Sequence, residues 1–252
     1  MAQFRHYIIT CLNVGVFSHR GGMIGTMPVP DWMRQRMRLF VAFTLPSIAA
    51  QTCRNFVWML LVDEKTPREY LELLRLIPLA NLRIVLTNCK SLDNHAVSAV
   101  IMQNVAPGEY DLITTEIDSD DAIHTDMIAA IQRYYQHKEG MRHLIFCPGL
   151  IYSLKTGEVF PLEYLYHCPT VIESSPAARS VYYWHNSEIP VDEKEIFYGE
   201  PYWLQVIHDF NVANTMESSG SRVIRKDKPA EPSAIRAFGV DHTRLGEFLN
   251  SK

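Results

Sequence analysis

Cysteine is scarce in this 252-residue sequence, and no two of its five cysteines form a CxxC pair. An odd number of widely spaced cysteines excludes the regular pattern of a disulfide framework or a zinc-binding module. Most of them stand in apolar surroundings, which is typical of small buried side chains. Reduced cysteines of this kind favour a cytoplasmic protein. The five are Cys11, Cys53, Cys89, Cys147 and Cys168.

Long apolar runs and runs of positive charge are also missing. The longest apolar stretches, such as residues 56–62, are far too short to cross a bilayer, and residues 1–6 lack the apolar core of a signal peptide. No Lys/Arg run exceeds two residues, and the net charge is -4. We therefore expect no nucleic-acid partner and no transmembrane segment, with peripheral membrane contact at most.

Four common binding or catalytic motifs are absent as well. The glycines of the first loop, Gly21, Gly22 and Gly25, lack the Lys-Ser/Thr of a phosphate-binding loop and the spacing of a dinucleotide fingerprint. No Gly-x-Ser-x-Gly or His-Glu-x-x-His motif occurs, which argues against an α/β-hydrolase and a zinc protease.

Strand and helix patterns alternate over residues 1–145. This rhythm predicts an α/β fold, with a mostly parallel central sheet and helices on both faces, whose ligands bind beyond the carboxyl ends of the strands. Apolar, β-branched runs predict the strands, and apolar residues at helical spacing predict the helices. The expected strands are 6–12, 56–63, 82–86 and 110–117; the expected helices are 31–45 (interrupted by Pro46), one opened by Pro67, 95–105, and one capped by Thr125.

Residues 146–252 are less regular, and we expect them to complete the same single domain. Short strand-like segments separated by proline-containing turns occur at 146–154, 157–162 and 180–185. A polar stretch with several prolines predicts a mobile loop near 216–235, and residues 242–249 predict a short helix.

An acidic cluster follows the strand predicted at 110–117. In an extended segment Asp118 and Asp120 point the same way, and Asp121 can approach from the turn into the next helix. Hard carboxylate oxygens suit Mg²⁺ or Mn²⁺. Aspartates also favour solvated turns and helix starts. The position at the end of an apolar strand favours the metal site over that alternative.

Two stretches resemble the bacterial rhamnosyltransferases of the GT-A glycosyltransferase type. The first runs from Arg38 through Phe43-Thr44-Leu45-Pro46-Ser47-Ile48 and Gln51-Thr52 to Asp63; the second is Thr114-Thr115 followed by Asp118-Ser119-Asp120-Asp121-Ala122-Ile123-His124. A weaker match lies at Trp203, Val206-Ile207-His208 and Asn211. The chain departs from the expected pattern in having Glu116-Ile117 where an Arg-Leu pair would precede the acidic motif.

The resemblance implies a GT-A-like fold with a nucleotide-sugar donor half (1–145) and an acceptor-side half (146–252). It places Asp118, Asp120 and Asp121 in the metal and donor motif, with His208 completing the metal shell. Asp63 would contact the nucleotide base. Thr10 and Asn13 would lie beside the base and ribose.

Arginines and possible general bases complete the candidate site. Arg38 is the better candidate for a diphosphate contact, whereas Arg36 is interpreted as part of a solvated helix face. The general base stays open between Glu163, Glu173, His185 and Asp209, and for each of them a structural role is the more common explanation.

The leading hypothesis is a metal-dependent glycosyltransferase that moves a sugar, such as rhamnose, from a nucleoside-diphosphate sugar to a saccharide or lipid-linked acceptor. A nucleotidyltransferase on a similar sheet would also use paired carboxylates and a metal. A non-catalytic module that binds saccharide or a partner protein on a degenerate transferase fold is the second alternative.

Overall fold

The structure is a computed structural model that describes residues 4–18, 22–137, 140–174, 176–184, 193–209, 211, 214–241 and 245. Its strands, in chain order, are β1 (Phe4–Cys11), β2 (Met23–Ile24), β3 (Met27–Pro28), β4 (Val57–Asp63), β5 (Leu82–Thr87), β6 (Asp111–Glu116), β7 (Ala122–Ile123), β8 (Met141–Cys147), β9 (Gly149–Ser153), β10 (Val159–Glu163), β11 (Thr170–Ser174), β12 (Lys194–Tyr198), β13 (Trp203–Ile207) and β14 (Val223–Ile224). Its α-helices are α1 (Val29–Leu39), α2 (Leu45–Ala49), α3 (Arg68–Arg75), α4 (Asn94–Asn104) and α5 (Met127–Tyr134).

A seven-stranded sheet in the order β12-β8-β11-β6-β1-β4-β5 forms the centre of the molecule. Its neighbouring strands are parallel except where β11 pairs antiparallel with β6 and β8. The predicted mostly parallel sheet is therefore confirmed. The four strands predicted from the sequence correspond to β1, β4, β5 and β6, and each begins and ends within two residues of its predicted position.

Alternate side chains of the central strands point to opposite faces of the sheet and contribute to two apolar cores. On one face Ile8 and Trp58 join a core that includes Met33 of α1 and Ile128 of α5. On the other face Tyr7 and its neighbours join a core with α4. Each large apolar side chain buried in this way contributes about 1.5–3 kcal/mol. The prediction of helices on both faces is confirmed.

The second sheet, ordered β14-β10-β9-β13-β7, joins the acidic cluster to the second half of the chain. Strand β7 follows Asp121 directly and pairs with the start of β13. Gly149 lets β9 lie against Trp203, because a Cβ there would stand 2.1 Å from the indole ring. The Trp203 indole donates to the Phe146 carbonyl at 2.7 Å. A substituted Gly149 would therefore displace the Trp203 indole and disturb the pairing of β9 with β13.

Two local predictions are wrong, each for a physical reason. Pro46 does not end the first helical segment: a π-helical turn, Phe40–Thr44, joins α1 to α2, and Pro46 lies in the first turn of α2, where a missing N–H is tolerated. Residues 180–184 of the segment predicted as a strand at 180–185 are not a strand, since 181–184 form a turn, and His185 lies outside the described residues. The aromatic residues of this turn pack against the α4 face instead of pairing.

The polar stretch near 216–235 contains structure of its own. Strand β14 pairs with β10, and a 3-10 helix, Pro232–Phe238, follows. Its mobility stays a prediction. The predicted helix at 242–249 lies outside the described residues except for Leu245. No described helix combines the length and the apolar character that a bilayer crossing needs.

Candidate active site

The candidate site lies at the carboxyl edge of the seven-stranded sheet. Asn13 follows β1, Asp63 ends β4, and Asp118 follows β6 after one residue. These strands are adjacent and parallel, so their ends open onto one crevice, where ligands of open α/β sheets bind. The predicted location of the site agrees with this geometry.

The helical stretch around Thr44 holds the acidic loop in place. The Thr44 hydroxyl, fully buried, donates to the Asp121 carbonyl at 2.9 Å and lies 3.3 Å from the Asp118 carbonyl. The Gln51 amide donates to the His124 carbonyl at 2.8 Å. The two stretches that carry the family resemblance are therefore in direct contact, the first positioning the backbone of the second.

Asp118, Asp121 and His167 bring ligand atoms together. One side-chain atom of each lies within 4.8 Å of the others. Asp121 Oδ2 is 3.1 Å from His167 Nε2, and Asp121 Oδ1 accepts the Val206 N–H at 2.7 Å. Asp118 is exposed at the mouth of this cluster, beside a cavity of about 70 Å³ that also touches Tyr166. Two carboxylates and one imidazole in this arrangement fit a divalent cation.

Asp120 is engaged differently from its two neighbours. Its Oδ1 lies 2.6 Å from Arg36 and its Oδ2 lies 2.9 Å from His208 Nε2. The structure thus brings Asp120 and His208 together as a pair, while Asp118 and Asp121 converge with His167. The interpretation of Arg36 as a solvated residue is wrong, because its side chain is only 15% exposed and its guanidinium stacks 4.9 Å from the Trp32 ring centre.

The electrostatics follow from these contacts. Burial tends to raise the pKa of Asp120, but Arg36 and His208 outweigh it and lower that pKa to about 2. Desolvation, and then the negative charges of Asp121 and Asp120, raise the pKa of Asp118 to about 7. Because Asp118 is exposed to solvent, which limits the effect of burial, we attribute its raised pKa chiefly to repulsion from the neighbouring carboxylates. A cation placed among them would relieve that repulsion.

His167 is oriented by a buried polar chain. Its Nδ1 lies 3.4 Å from the Gln205 amide nitrogen, and Gln205 Oε1 accepts from Arg222 at 2.6 Å. Arg222 is buried and also donates to the carbonyls of Thr215 and Glu217. Burial opposes protonation of His167, yet the adjacent Cys168 and Asp121 outweigh it, so the pKa of His167 is raised.

Asp63 is buried with one oxygen available. Its Oδ1 accepts the Lys65 N–H at 2.9 Å, whereas Oδ2 has no hydrogen-bond partner among the described residues. Asn13 accepts the Asp63 N–H at 3.0 Å and donates to Thr66 at 2.7 Å. Thr10 is fully buried and accepts a hydrogen bond from the Trp58 indole at 3.1 Å. Asp63 therefore presents the open acceptor of this group.

The remaining predicted residues are not members of the group formed by Asp118, Asp121 and His167, or are not described. Arg38 is half-buried in α1. Glu173 pairs in register with Leu112 near the start of β6, at the opposite end of that strand from Asp118. Asp209 is exposed immediately after His208, and His185 lies outside the described residues. The structure does not bring Glu173 to the carboxyl edge.

Sequence reasoning missed His167 and misread Arg36. His167 lies in an irregular bend before β11, and β11 runs antiparallel to β6, so the bend comes to lie beside Asp118. No local pattern reveals that reversal. Arg36, by contrast, lies on a helix with a buried apolar face. The preference of arginine for carboxylate partners could have indicated a contact with the acidic loop.

Several solved structures are similar to the chain at low identity. S. aureus TarS 1-349 in complex with UDP-GlcNAc is 12% identical, with a TM-score of 0.48, and the match covers 84% of this chain and 62% of that chain. HddC from Yersinia pseudotuberculosis complexed with GMP-PN is 11% identical, with a TM-score of 0.43 and coverage of 80% and 93%. The inositol-1-phosphate CTP transferase from T. maritima is 12% identical, with a TM-score of 0.42 and coverage of 81% and 89%.

No curated protein is significantly similar to the chain in sequence. The family model described as Putative rhamnosyl transferase matches residues 26–219, which is most of the chain and includes both helical and acidic stretches that hold the site together. The chain belongs to this Putative rhamnosyl transferase family.

Proposed function

We propose that the protein is a metal-dependent glycosyltransferase. It would transfer a sugar, with rhamnose as the first donor to test, from a nucleoside-diphosphate sugar to a saccharide or lipid-linked acceptor. Family membership supports the transferase class. The observation that carries the proposal is the convergence of Asp118, Asp121 and His167 at the carboxyl edge of the sheet.

The donor atoms of this cluster favour a particular cation. Carboxylate oxygens suit Mg²⁺ and Mn²⁺ equally well, but an imidazole nitrogen is accepted more readily by Mn²⁺. A bound divalent ion would supply a positive charge that offsets the charge building on the departing nucleoside diphosphate. Asp118, Asp121 and His167 are the residues that would hold it.

Asp63 supports a nucleotide at the same edge. Its side chain is 2% exposed, and its Oδ2 is buried without a described partner. A buried carboxylate oxygen in that state is unfavourable unless a donor reaches it. An N–H of a nucleobase is such a donor. Asn13, which bonds to the Asp63 backbone and to Thr66, would keep this acceptor in place.

Arg36 and Asp120 have a supporting role in the proposal. Because Arg36 and His208 occupy both oxygens of Asp120, this residue is assigned to positioning the acidic loop. Arg38 stays the candidate for a diphosphate contact. Among the candidate general bases, Asp209 directly follows His208, which pairs with Asp120, whereas Glu173 lies near the other end of β6.

The proposal is tested by calorimetric titration with Mn²⁺, followed by UDP or dTDP, and by assaying donor hydrolysis over a panel of sugar nucleotides. We expect nucleotide binding that requires the metal. Asp118→Asn should weaken Mn²⁺ binding roughly 100-fold, which corresponds to about 2.7 kcal/mol, because it removes one anionic ligand. The unfolding free energy should not fall, since Asp118 is exposed and its neutralisation relieves the repulsion from Asp121 and Asp120.

The matched control is Asp227→Asn, which makes the same chemical change at an exposed residue paired only at 3.4 Å with Arg225. It should leave Mn²⁺ binding unchanged. Absence of metal and nucleotide binding in the unmodified protein would exclude the proposal and favour a non-catalytic module. Release of pyrophosphate from a nucleoside triphosphate and a sugar phosphate would instead identify a nucleotidyltransferase.

A further inference from the structure

A second cavity lies at the amino edge of the seven-stranded sheet, where β1, β4 and β5 begin. Its volume is about 300 Å³, at the lower end of the range for small-molecule sites. Three arginines line it: Arg5 in β1, Arg54 before β4 and Arg83 in β5. We call this cavity the arginine pocket.

Neutral groups hold the three arginines in place. Arg54 donates to the Ala49 carbonyl at 2.5 Å, and Arg83 donates to the Asn104 carbonyl at 2.6 Å. The Arg5 guanidinium lies 4.7 Å from the centre of the Tyr110 ring. Each guanidinium carries five N–H donors, so one carbonyl contact or one stacked face leaves most donors for a ligand.

The pocket keeps its positive charge. No carboxylate lines it, and none of the three arginines forms an ion pair with a carboxylate of the described residues. Arg34, Arg36, Arg68, Arg142 and Arg225, in contrast, all pair with a carboxylate. The pocket is therefore a local positive region on a chain whose net charge is -4.

We propose that the arginine pocket binds a phosphate group. Two oxygens of a carboxylate satisfy a single guanidinium fork, whereas the oxygens of a phosphate can accept from two or three forks at once. Three guanidinium groups around one cavity match the second geometry. The phosphate can belong to a soluble phosphorylated molecule or to an anionic lipid headgroup, because both present the same chemistry.

The pocket is distinct from the carboxyl edge. Arg5 is the second residue of β1 and Asn13 follows its end, so the two edges are roughly 25 Å apart at about 3.3 Å per residue. A phosphate held in the arginine pocket would leave the acidic cluster open. The inference is therefore independent of the reaction proposed for that cluster.

The test uses the full chain and two probes. Inorganic phosphate and pyrophosphate are titrated by calorimetry, and vesicles of phosphatidylcholine with and without phosphatidic acid are used in a sedimentation assay. We expect binding of at least one probe, weakened about tenfold or more in Arg5→Gln/Arg83→Gln, since two charge-assisted contacts are lost. Phosphate binding alone identifies a soluble ligand, and vesicle binding lost in the same variant identifies a lipid headgroup.

The matched control is Arg68→Gln/Arg75→Gln, which removes the same charge from the exposed surface of α3. It should bind both probes as the unmodified protein does. An equal loss in both double variants would reveal non-specific charge attraction and overturn the proposal, as would no binding of either probe. If Arg83→Gln lowers the thermal midpoint by releasing Asn104, Arg5→Gln/Arg54→Gln replaces it and must show the same loss.

Discussion

The carboxylates at the two ends of the central sheet have different hydrogen-bond partners. Near the amino end of β6, Glu173 accepts three N–H groups: those of Arg179 at 3.0 Å, Ser180 at 2.8 Å and the Trp184 indole at 2.8 Å. It therefore has a donor on both oxygens. Such a carboxylate fixes a loop and has little capacity left for chemistry.

At the carboxyl end, two carboxylates differ from Glu173. Asp63 has one buried oxygen without a described partner, and Asp118 is crowded by other negative charges. The contrast separates a structural acid from acids that are available to a ligand, although all are aspartates or glutamates near a strand end. Burial alone would not distinguish Glu173 from Asp63, because both are buried.

The largest effect on stability is expected for Glu173→Ala. Removing the acceptor leaves three N–H groups without a partner, so the unfolding free energy should fall by about 4 kcal/mol. Urea denaturation measures this change. Mn²⁺ binding should stay within about twofold of the unmodified protein, as the acid is remote from the cluster. A stable variant that loses Mn²⁺ binding would show that Glu173 belongs to the metal site and is not a purely structural acid.

Asp120→Ala should have the next largest effect. It leaves the largely buried Arg36 and His208 without their anionic partner, which should lower the unfolding free energy by about 3 kcal/mol. A double-mutant cycle with Arg36→Ala should give a coupling energy of about 1 kcal/mol or more. Additive effects in that cycle would show that the ion pair contributes nothing to the loop.

Arg222→Met should act on the metal through two intermediates. Arg222 holds Gln205, and Gln205 lies against His167, so the variant should weaken Mn²⁺ binding roughly 10-fold, or about 1.4 kcal/mol. Arg225→Met is the control. Arg225 directly follows β14, and its described ion pairs are exposed. Calorimetry on both variants, each first shown folded by circular dichroism, decides whether orientation of His167 matters.

The last prediction is a pH dependence of stability, which is gradual and develops only below about pH 6.5. Burial lowers the pKa of His6 to about 3 and, with Lys194, that of His143 to about 4, so both stay neutral in the folded protein while the unfolded chain takes up protons below about 6.5. Stability should be full above that pH and decline as pH falls, by up to about 1.4 kcal/mol per unit for each group. His143→Gln should flatten the decline measured by urea denaturation. An unchanged slope would contradict the assignment.

The sequence was informative where local chemistry decides structure. The strands at 6–12 and 56–63 were predictable because a strand buried on both faces is a mostly apolar run. The acidic loop was predictable as a site because it follows such a strand. The segment 180–185 was misassigned, since its aromatic residues resemble a strand yet cover Glu173, a tertiary role that β propensity does not register.

The composition of the site was less predictable than its location. His167 reaches Asp121 only because β11 runs back along β6, and the division of Asp118, Asp120 and Asp121 between two different sets of partners depends on distances within one short loop. Such distances require coordinates. Asp63 was found at its expected place, because a strand end is a local feature.

The contact between Thr44 and the acidic loop limits how this protein can be re-engineered. One hydroxyl, presented by a π-helical turn, sets the path of the loop backbone through the carbonyls of Asp118 and Asp121. A loop grafted from a different protein, without the helical residue that contacts its backbone, would place its carboxylates in the wrong orientation. The π-helical turn and the acidic loop would therefore have to be transferred together.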